Sequence, residues 1–137
     1  MSKANGEIAV DTNAVIAFLE GEPRVAGILR GSTALFLPAI CLGELEYGAL
    51  HSARSNENLA RLHAFADTCG VVPVTRNTAS HYGRIRQGLA TKGRPIPEAD
   101  LWIAAICIEH DLPLLSNDAH FDFVSGILRQ DWSASAS

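Results

Sequence analysis

Four short runs of bulky residues, at positions 7–10, 33–37, 71–74 and 113–116, alternate with stretches of helical periodicity and predict an α/β domain. No interval between them suits a tight hairpin except near the end, so the sheet is expected to be mostly parallel with helices on both faces. A third observation points to the working edge of that sheet. Asp11 and Asp118 follow the first and last of these runs, where open α/β sheets bind ligands beyond the carboxyl ends of their strands.

Each element has its own signal. Ile8-Ala9-Val10 forms the first strand, and residues 12–20 carry Val15, Ile16, Phe18 and Leu19 at helical spacing before Gly21 and Pro23 interrupt. Residues 23–30 give a second short helix and 33–37 a second strand. Pro38 stands where a helix begins. That helix, 39–52, sets Ile40, Leu42, Leu45 and Ala49 on adjoining faces, with Glu44 next to the small residues Cys41 and Gly48 at helical spacing. Ser55-Asn56-Glu57-Asn58 opens a helix that turns Leu59, Leu62, Phe65 and Ala66 inward and runs to about Cys69, with Gly70 as its terminator. After the third strand, 71–74, an amphipathic helix at 75–92 sets Tyr82, Ile85 and Leu89 on one side, and Arg84, Arg86 and Lys92 elsewhere. Gly93-Arg94-Pro95-Ile96-Pro97 breaks the chain, and 98–109 resumes as a helix with Leu101, Ala104, Ala105 and Ile108 buried and Asp100 in its first turn. The fourth strand at 113–116, a turn of helix at 119–124 and a fifth strand at 127–129 complete one domain over 1–132; residues 133–137 are expected to be a disordered tail.

A chain of 137 residues suits a single domain that buries roughly two thirds of its unfolded surface. With 47% hydrophobic and 19% charged residues it lies far from a disordered composition. A net charge of −4 excludes binding of a polyanion by bulk attraction, so any nucleic acid must be gripped by local cations. Cys41, Cys69 and Cys107 are odd in number, lack C-x-x-C spacing and read as reduced, buried thiols. One lysine followed by a short apolar run does not make a secretory signal. The longest apolar stretch, 101–108, is too short to cross a bilayer of about 30 Å, so a cytoplasmic location is expected.

Asp11, Glu44, Asp100 and Asp118 are the candidate chemistry. Two unit charges about 4 Å apart repel by roughly 4 kcal/mol at an effective dielectric of 20, so acids gathered in one pocket call for a cation. Oxygen ligands on a half-open site suit Mg²⁺ or Mn²⁺ and the hydrolysis of phosphodiesters. Taken singly, each acid has an ordinary explanation: Asp11 and Asp118 as helix N-caps, Asp100 near a helix dipole, Glu44 as a solvated acid beside Glu46. Only the joint pattern overturns these. The histidines, at 51, 63, 81, 110 and 120, form no metal-binding spacing, although His120 follows Asp118 closely enough to face a phosphate. Arg84, Arg86, Lys92 and Arg94 lead into the loop before Asp100, where they form either a grip on a substrate backbone or a solvated helix face. Tyr47, Trp102 and Phe121 fit core or interface positions better than base-stacking platforms.

Val10-Asp11-Thr12-Asn13, Glu44-Leu45-Glu46-Tyr47-Gly48, Pro97-Glu98-Ala99-Asp100-Leu101-Trp102-Ile103-Ala104-Ala105 and Leu114-Leu115-Ser116-Asn117-Asp118-Ala119-His120-Phe121, in that order within residues 7–129, together resemble PIN-domain ribonucleases of the VapC toxin type. The resemblance implies a PIN-like three-layer α/β/α sandwich and places the family's acidic quartet on Asp11, Glu44, Asp100 and Asp118. Asp11 and Asp100 would be the most direct metal ligands, with Asp118 joining them and Glu98 and Asp122 as helpers. Thr12 and Ser116 match hydroxyls that hold the quartet or a metal-bound water, and Asn13 matches an asparagine that braces the first loop. It further implies a Mg²⁺- or Mn²⁺-dependent endoribonuclease leaving 5′-phosphate and 3′-hydroxyl ends. Such a protein is the toxin of a toxin–antitoxin pair, a homodimer restrained by an antitoxin whose basic segment enters the acidic pocket. Two alternatives are a receiver-like phospho-signalling domain and a PIN-like binding module without catalysis. Against the first, the only lysines are Lys3 and Lys92, neither of which follows a late strand, and Asp11 has no acidic neighbour.

Overall fold

The computed structural model describes residues 6–134. Five strands, β1 (Glu7–Val10), β2 (Ala34–Pro38), β3 (Gly70–Val72), β4 (Leu114–Leu115) and β5 (Arg129–Gln130), form one sheet in the order β3-β2-β1-β4-β5. Every neighbouring pair is parallel. Between them lie α1 (Thr12–Leu19), α2 (Pro23–Arg30), α3 (Ala39–Leu50), α4 (Ser55–Ala66), α5 (Arg76–Lys92) and α6 (Glu98–Glu109), with 3-10 turns at Ala119–Phe123 and Trp132–Ala134. The chain steps outward from β1 to β2 to β3, returns through α5 and α6 to β4 on the other side of β1, and ends at β5. Right-handed crossovers put the helices of these two arms on opposite faces of the sheet. The direction of winding therefore reverses between β1 and β4.

Because β1 is covered on both faces, Ile8, Ala9 and Val10 are all buried, which is why this strand reads as an unbroken apolar run. Leu37, Leu114 and Leu115 of the neighbouring strands join Val15, Leu62, Ile103 and Phe121 in the core. Each such side chain contributes about 1.5–3 kcal/mol by leaving water. Phe121 is thus core, as its sequence position suggests, while Trp102 is half-buried and stacks on Tyr82 with centroids 4.0 Å apart. Tyr47 is not core: it is exposed and stacks on His51, which leaves the interface half of that expectation.

Apart from shifts of one or two residues at several element ends, the structure departs from expectation in these places. Gly70 does not terminate α4, which ends at Ala66; it opens β3 instead. A Cβ there would lie 3.1 Å from the Phe36 ring, a tight contact that a larger residue would relieve only by shifting that ring a few tenths of an ångström. The interval near the end that suited a hairpin is a parallel crossover through the first 3-10 turn, and β5 sits one or two residues later than expected. Residues 133 and 134 belong to the last 3-10 turn, where the Ser133 amide donates to Asp131 at 2.9 Å; the rest of the expected tail, and residues 1–5 including Lys3, lie outside the described residues. Cys41 and Cys107 are buried as expected, whereas Cys69 is only half-buried. Among the described residues no helix is long and apolar enough to cross a membrane.

Candidate active site

Asp11 leaves β1 in an extended conformation and caps α1, its Oδ1 accepting the Thr12 amide at 2.8 Å. The same carboxylate takes three further hydrogen bonds: from the Cys41 thiol at 3.6 Å on Oδ1, and from Ser116 Oγ at 2.7 Å and Asn13 Nδ2 at 3.2 Å on Oδ2. The carboxylate that caps α1 therefore also binds Ser116 at the end of β4. Burial nevertheless raises the Asp11 pKa, outweighing the hydrogen bonds that lower it, led by that from Ser116. Burial, followed by the Asp11 charge, pushes the Cys41 thiol far up, so it stays a protonated donor.

Ser116 is the buried hub. Its hydroxyl receives Asn13 Nδ2 at 3.3 Å and the Asp118 amide at 3.0 Å while donating to Asp11. Asn13 completes the clasp by accepting the Asn117 amide at 3.3 Å. The ends of β1 and β4, adjacent in the sheet but about a hundred residues apart in sequence, are thus stitched together by side chains. Asp118 caps the following 3-10 turn through the His120 amide at 2.9 Å.

Asp100, in the first turn of α6, comes beside Asp118 and His120. Burial, then the charges of Asp118 and Asp11, push its pKa up to about 6, against a smaller opposing effect from His120. The His120 ring lies 3.3 Å from Asp100 Oδ2 and 3.0 Å from Asp118 Oδ1. One ligand atom from each of Asp100, Asp118 and His120 falls within 4.8 Å of the others. Glu44, exposed on α3, joins through Thr12, whose hydroxyl donates to it at 2.5 Å, and its charge adds to the upward pressure on Asp11.

The remaining sequence candidates point elsewhere. Glu98 accepts from the Tyr82 hydroxyl and sits 3.8 Å from Arg86. Both carboxylate oxygens of Asp122 accept from Arg129, which holds its pKa below the ordinary range. In the basic run, Arg86 donates to the Tyr82 hydroxyl at 2.8 Å and Lys92 to the Phe123 carbonyl at 3.3 Å. The Arg94 guanidinium lies 4.9 Å from the Phe123 ring centroid, and Arg84 is exposed. Sequence reasoning missed Cys41 as a donor to Asp11, although its helical spacing from Glu44 was visible. It also missed Arg129, for which no local signal exists.

An all-parallel sheet with acidic side chains gathered at the point where its winding reverses places the chain among open α/β proteins, which bind ligands in the crevice beyond the strand ends. More narrowly, the chain belongs to the PIN-domain family, whose pattern, described as "PIN domain", matches residues 8–127, and its relatives are of the VapC type. The tRNA(fMet)-specific endonuclease VapC of Shigella flexneri is 30% identical over 129 residues, covering 90% of this chain and 96% of the relative. Ribonuclease VapC5 of Mycobacterium tuberculosis is also 30% identical over 129 residues, covering 92% and 93%. A crystal structure of DNA-bound VapBC from Salmonella typhimurium has a chain that superimposes with a TM-score of 0.86 at 29% identity, covering 92% of this chain and 98% of that one. The resemblance carried by four short motifs thus extends over the whole fold.

Proposed function

We propose that the chain is a metal-dependent endoribonuclease, the toxin of a type II toxin–antitoxin pair, which hydrolyses RNA phosphodiesters to 5′-phosphate and 3′-hydroxyl ends. The observation that carries this reading is the convergence of Asp100, Asp118 and His120, one ligand atom from each within 4.8 Å of the others, with Asp11 joined to Asp118 through Ser116 and near enough for its charge to help push Asp100 up to about 6. Ionising Asp100 beside these charges carries a cost that a bound cation would offset. The donors gathered here, oxygens with one imidazole alongside, fit Mg²⁺ or Mn²⁺. Asp11, Asp100 and Asp118 would hold the ion, which when bound polarises the scissile phosphate and acidifies the attacking water.

The chain's own groups do the positioning. Four donors lock Asp11 in one rotamer, and the Asn13–Ser116 clasp sets its spacing to Asp118. Glu44 holds the Thr12 hydroxyl at the pocket's rim. His120, about half exposed and in contact with both Asp100 and Asp118, is the imidazole nearest an incoming phosphate. The acidic pocket is complementary to an arginine-bearing segment of an antitoxin, because a guanidinium pairs with carboxylates bidentately. The VapBC assemblies of the structural relatives support that partner, and homodimerisation and a cytoplasmic location belong to the same proposal.

Cleavage of structured RNAs, beginning with initiator tRNA because of the Shigella relative's name, tests the reading. Wild-type protein is expected to cut with Mn²⁺ or Mg²⁺ and not with chelator. Asp11→Asn and Asp100→Asn should fold yet lose at least about a hundredfold in rate, as expected when charge stabilisation at the reacting phosphate is removed. Chelator-resistant cleavage, or variants as active as wild type, would overturn it.

A further inference from the structure

Arg129 stands on the edge strand β5, outside the acidic pocket, yet its side chain is only 14% exposed. Its guanidinium reaches both ends of the turn that carries Asp118 and His120. At the start, Nη1 donates to the Ser116 carbonyl at 3.1 Å. At the far end, Nε and Nη2 donate to Asp122 Oδ1 and Oδ2, each at 2.9 Å. Asp131 flanks the same group at 3.3 Å. Besides this fork, the turn is held by the short pairing of β4 with β5, by Phe121 buried in the core, by the Asp118 amide on the Ser116 hydroxyl, and by Lys92, which donates to the Phe123 carbonyl inside the turn and contacts Ser125 beyond it.

We propose that Arg129 is a positioning residue for the acidic pocket: by gripping the Ser116 carbonyl and the Asp122 carboxylate together it fixes where Asp118 and His120 stand relative to Asp11. The link is direct, because the residue whose carbonyl Arg129 holds also gives its hydroxyl to Asp11 and receives the Asp118 amide. A planar guanidinium can satisfy two acceptors in different directions at once; a lysine ammonium on a flexible stem lacks that fork. The carboxylate of Asp122 serves in this arrangement as the anchor that orients the fork.

The inference rests on the metal-dependent reading above, and one set of measurements separates the two. Full-length wild type, Arg129→Ala, Arg129→Lys and Asp131→Asn are compared by melting in chelator and by calorimetric titration with Mn²⁺. Arg129→Ala is expected to raise the Mn²⁺ concentration at half-saturation about tenfold, the lower end of what loss of outer-sphere partners costs a metal site. Arg129→Lys should resemble it despite keeping the charge. Asp131→Asn, which removes an ion pair from the same guanidinium but leaves both turn contacts, should match wild type. If both Arg129 variants melt lower yet bind Mn²⁺ like wild type, Arg129 is merely structural and the inference fails while the metal reading stands. Should Arg129→Ala not fold, the Arg129→Lys isotherm decides alone, an overlay on wild type overturning the inference. Wild type that takes up no Mn²⁺ would overturn both.

Discussion

Asp100 shows how one side chain can oppose the fold that contains it. Its carboxyl ionises at 3.8 in a free chain and at about 6 in the folded protein, because burial and the charges of Asp118 and Asp11 disfavour the anion. Between those values the native state holds a proton that the unfolded state has released, so stability falls as pH rises through this window. Below 3.8 the deficit is absent, and above about 6 it is complete. With the side chain mostly shielded, the deficit is on the order of 2 kcal/mol after allowing for residual screening. In chelator, Asp100→Asn is therefore expected to melt above wild type at about pH 7.5, with the gap narrowing at about pH 5. A gap that stays constant across that range would remove the electrostatic explanation. Legibility at this scale divides cleanly. Asp11 is visible because it directly follows β1 and Asp118 because it comes three residues after β4, and each caps the element that follows it. The directions of Glu98 and Asp122, turned towards Tyr82 and Arg129, depend on side chains that arrive from other elements, and no local pattern carries them.

Elements were legible where punctuation is local. The span of α6 emerges as expected because Pro97 precedes it and its apolar face runs unbroken to Glu109. The start of β3 did not, since the snug fit of Gly70 is against Phe36, a residue of the neighbouring strand. The entry to α5 illustrates a third case, a capping box built with threonine where glutamate or glutamine is usual. The Thr75 amide donates to the Thr78 hydroxyl, and that hydroxyl in turn donates to Glu109 at 2.5 Å, tying the start of α5 to the end of α6. Thr78 is fully buried, so Thr78→Val keeps the shape while removing both contacts. The expected cost is about 2 kcal/mol, combining the loss of one half of the capping box with a partly buried carboxylate that loses its shortest donor. Urea unfolding should show it as a lower midpoint with an unchanged slope. RNA cleavage per folded molecule should not change, because Glu109 lies roughly 13 Å further along α6 than Asp100 at 1.5 Å per residue. A loss of cleavage out of proportion to the unfolded fraction would show that this end of the helix pair communicates with the pocket.

At the scale of the whole molecule, strand order decides where the pocket forms, and strand order was not written in any one segment. The sequence supplied strands and an expected active edge; pairing β1 with β4 turned that edge into a crevice between Asp11 and Asp118. Charge is the other molecular property, and it constrains how an acidic nuclease holds RNA. The chain carries eleven lysines and arginines against fifteen acids. Of the four cations expected to grip the substrate, Arg86 already contacts Tyr82 and Glu98, Lys92 contacts Phe123 and Ser125, and Arg94 lies over Phe123. Their intramolecular contacts limit the number of phosphates this face can neutralise. Two phosphate contacts would give a slope of about −1.4 in log affinity against log salt for a single strand. The Michaelis constant for RNA, measured across KCl concentrations at fixed Mn²⁺, should follow that shallow dependence, and Arg84→Ala should flatten it by about 0.7, one contact's share. A slope several times steeper would mean that these arginines and Lys92 release their partners to form a continuous basic track when RNA binds, or that the partner subunit of a dimer supplies the missing charge.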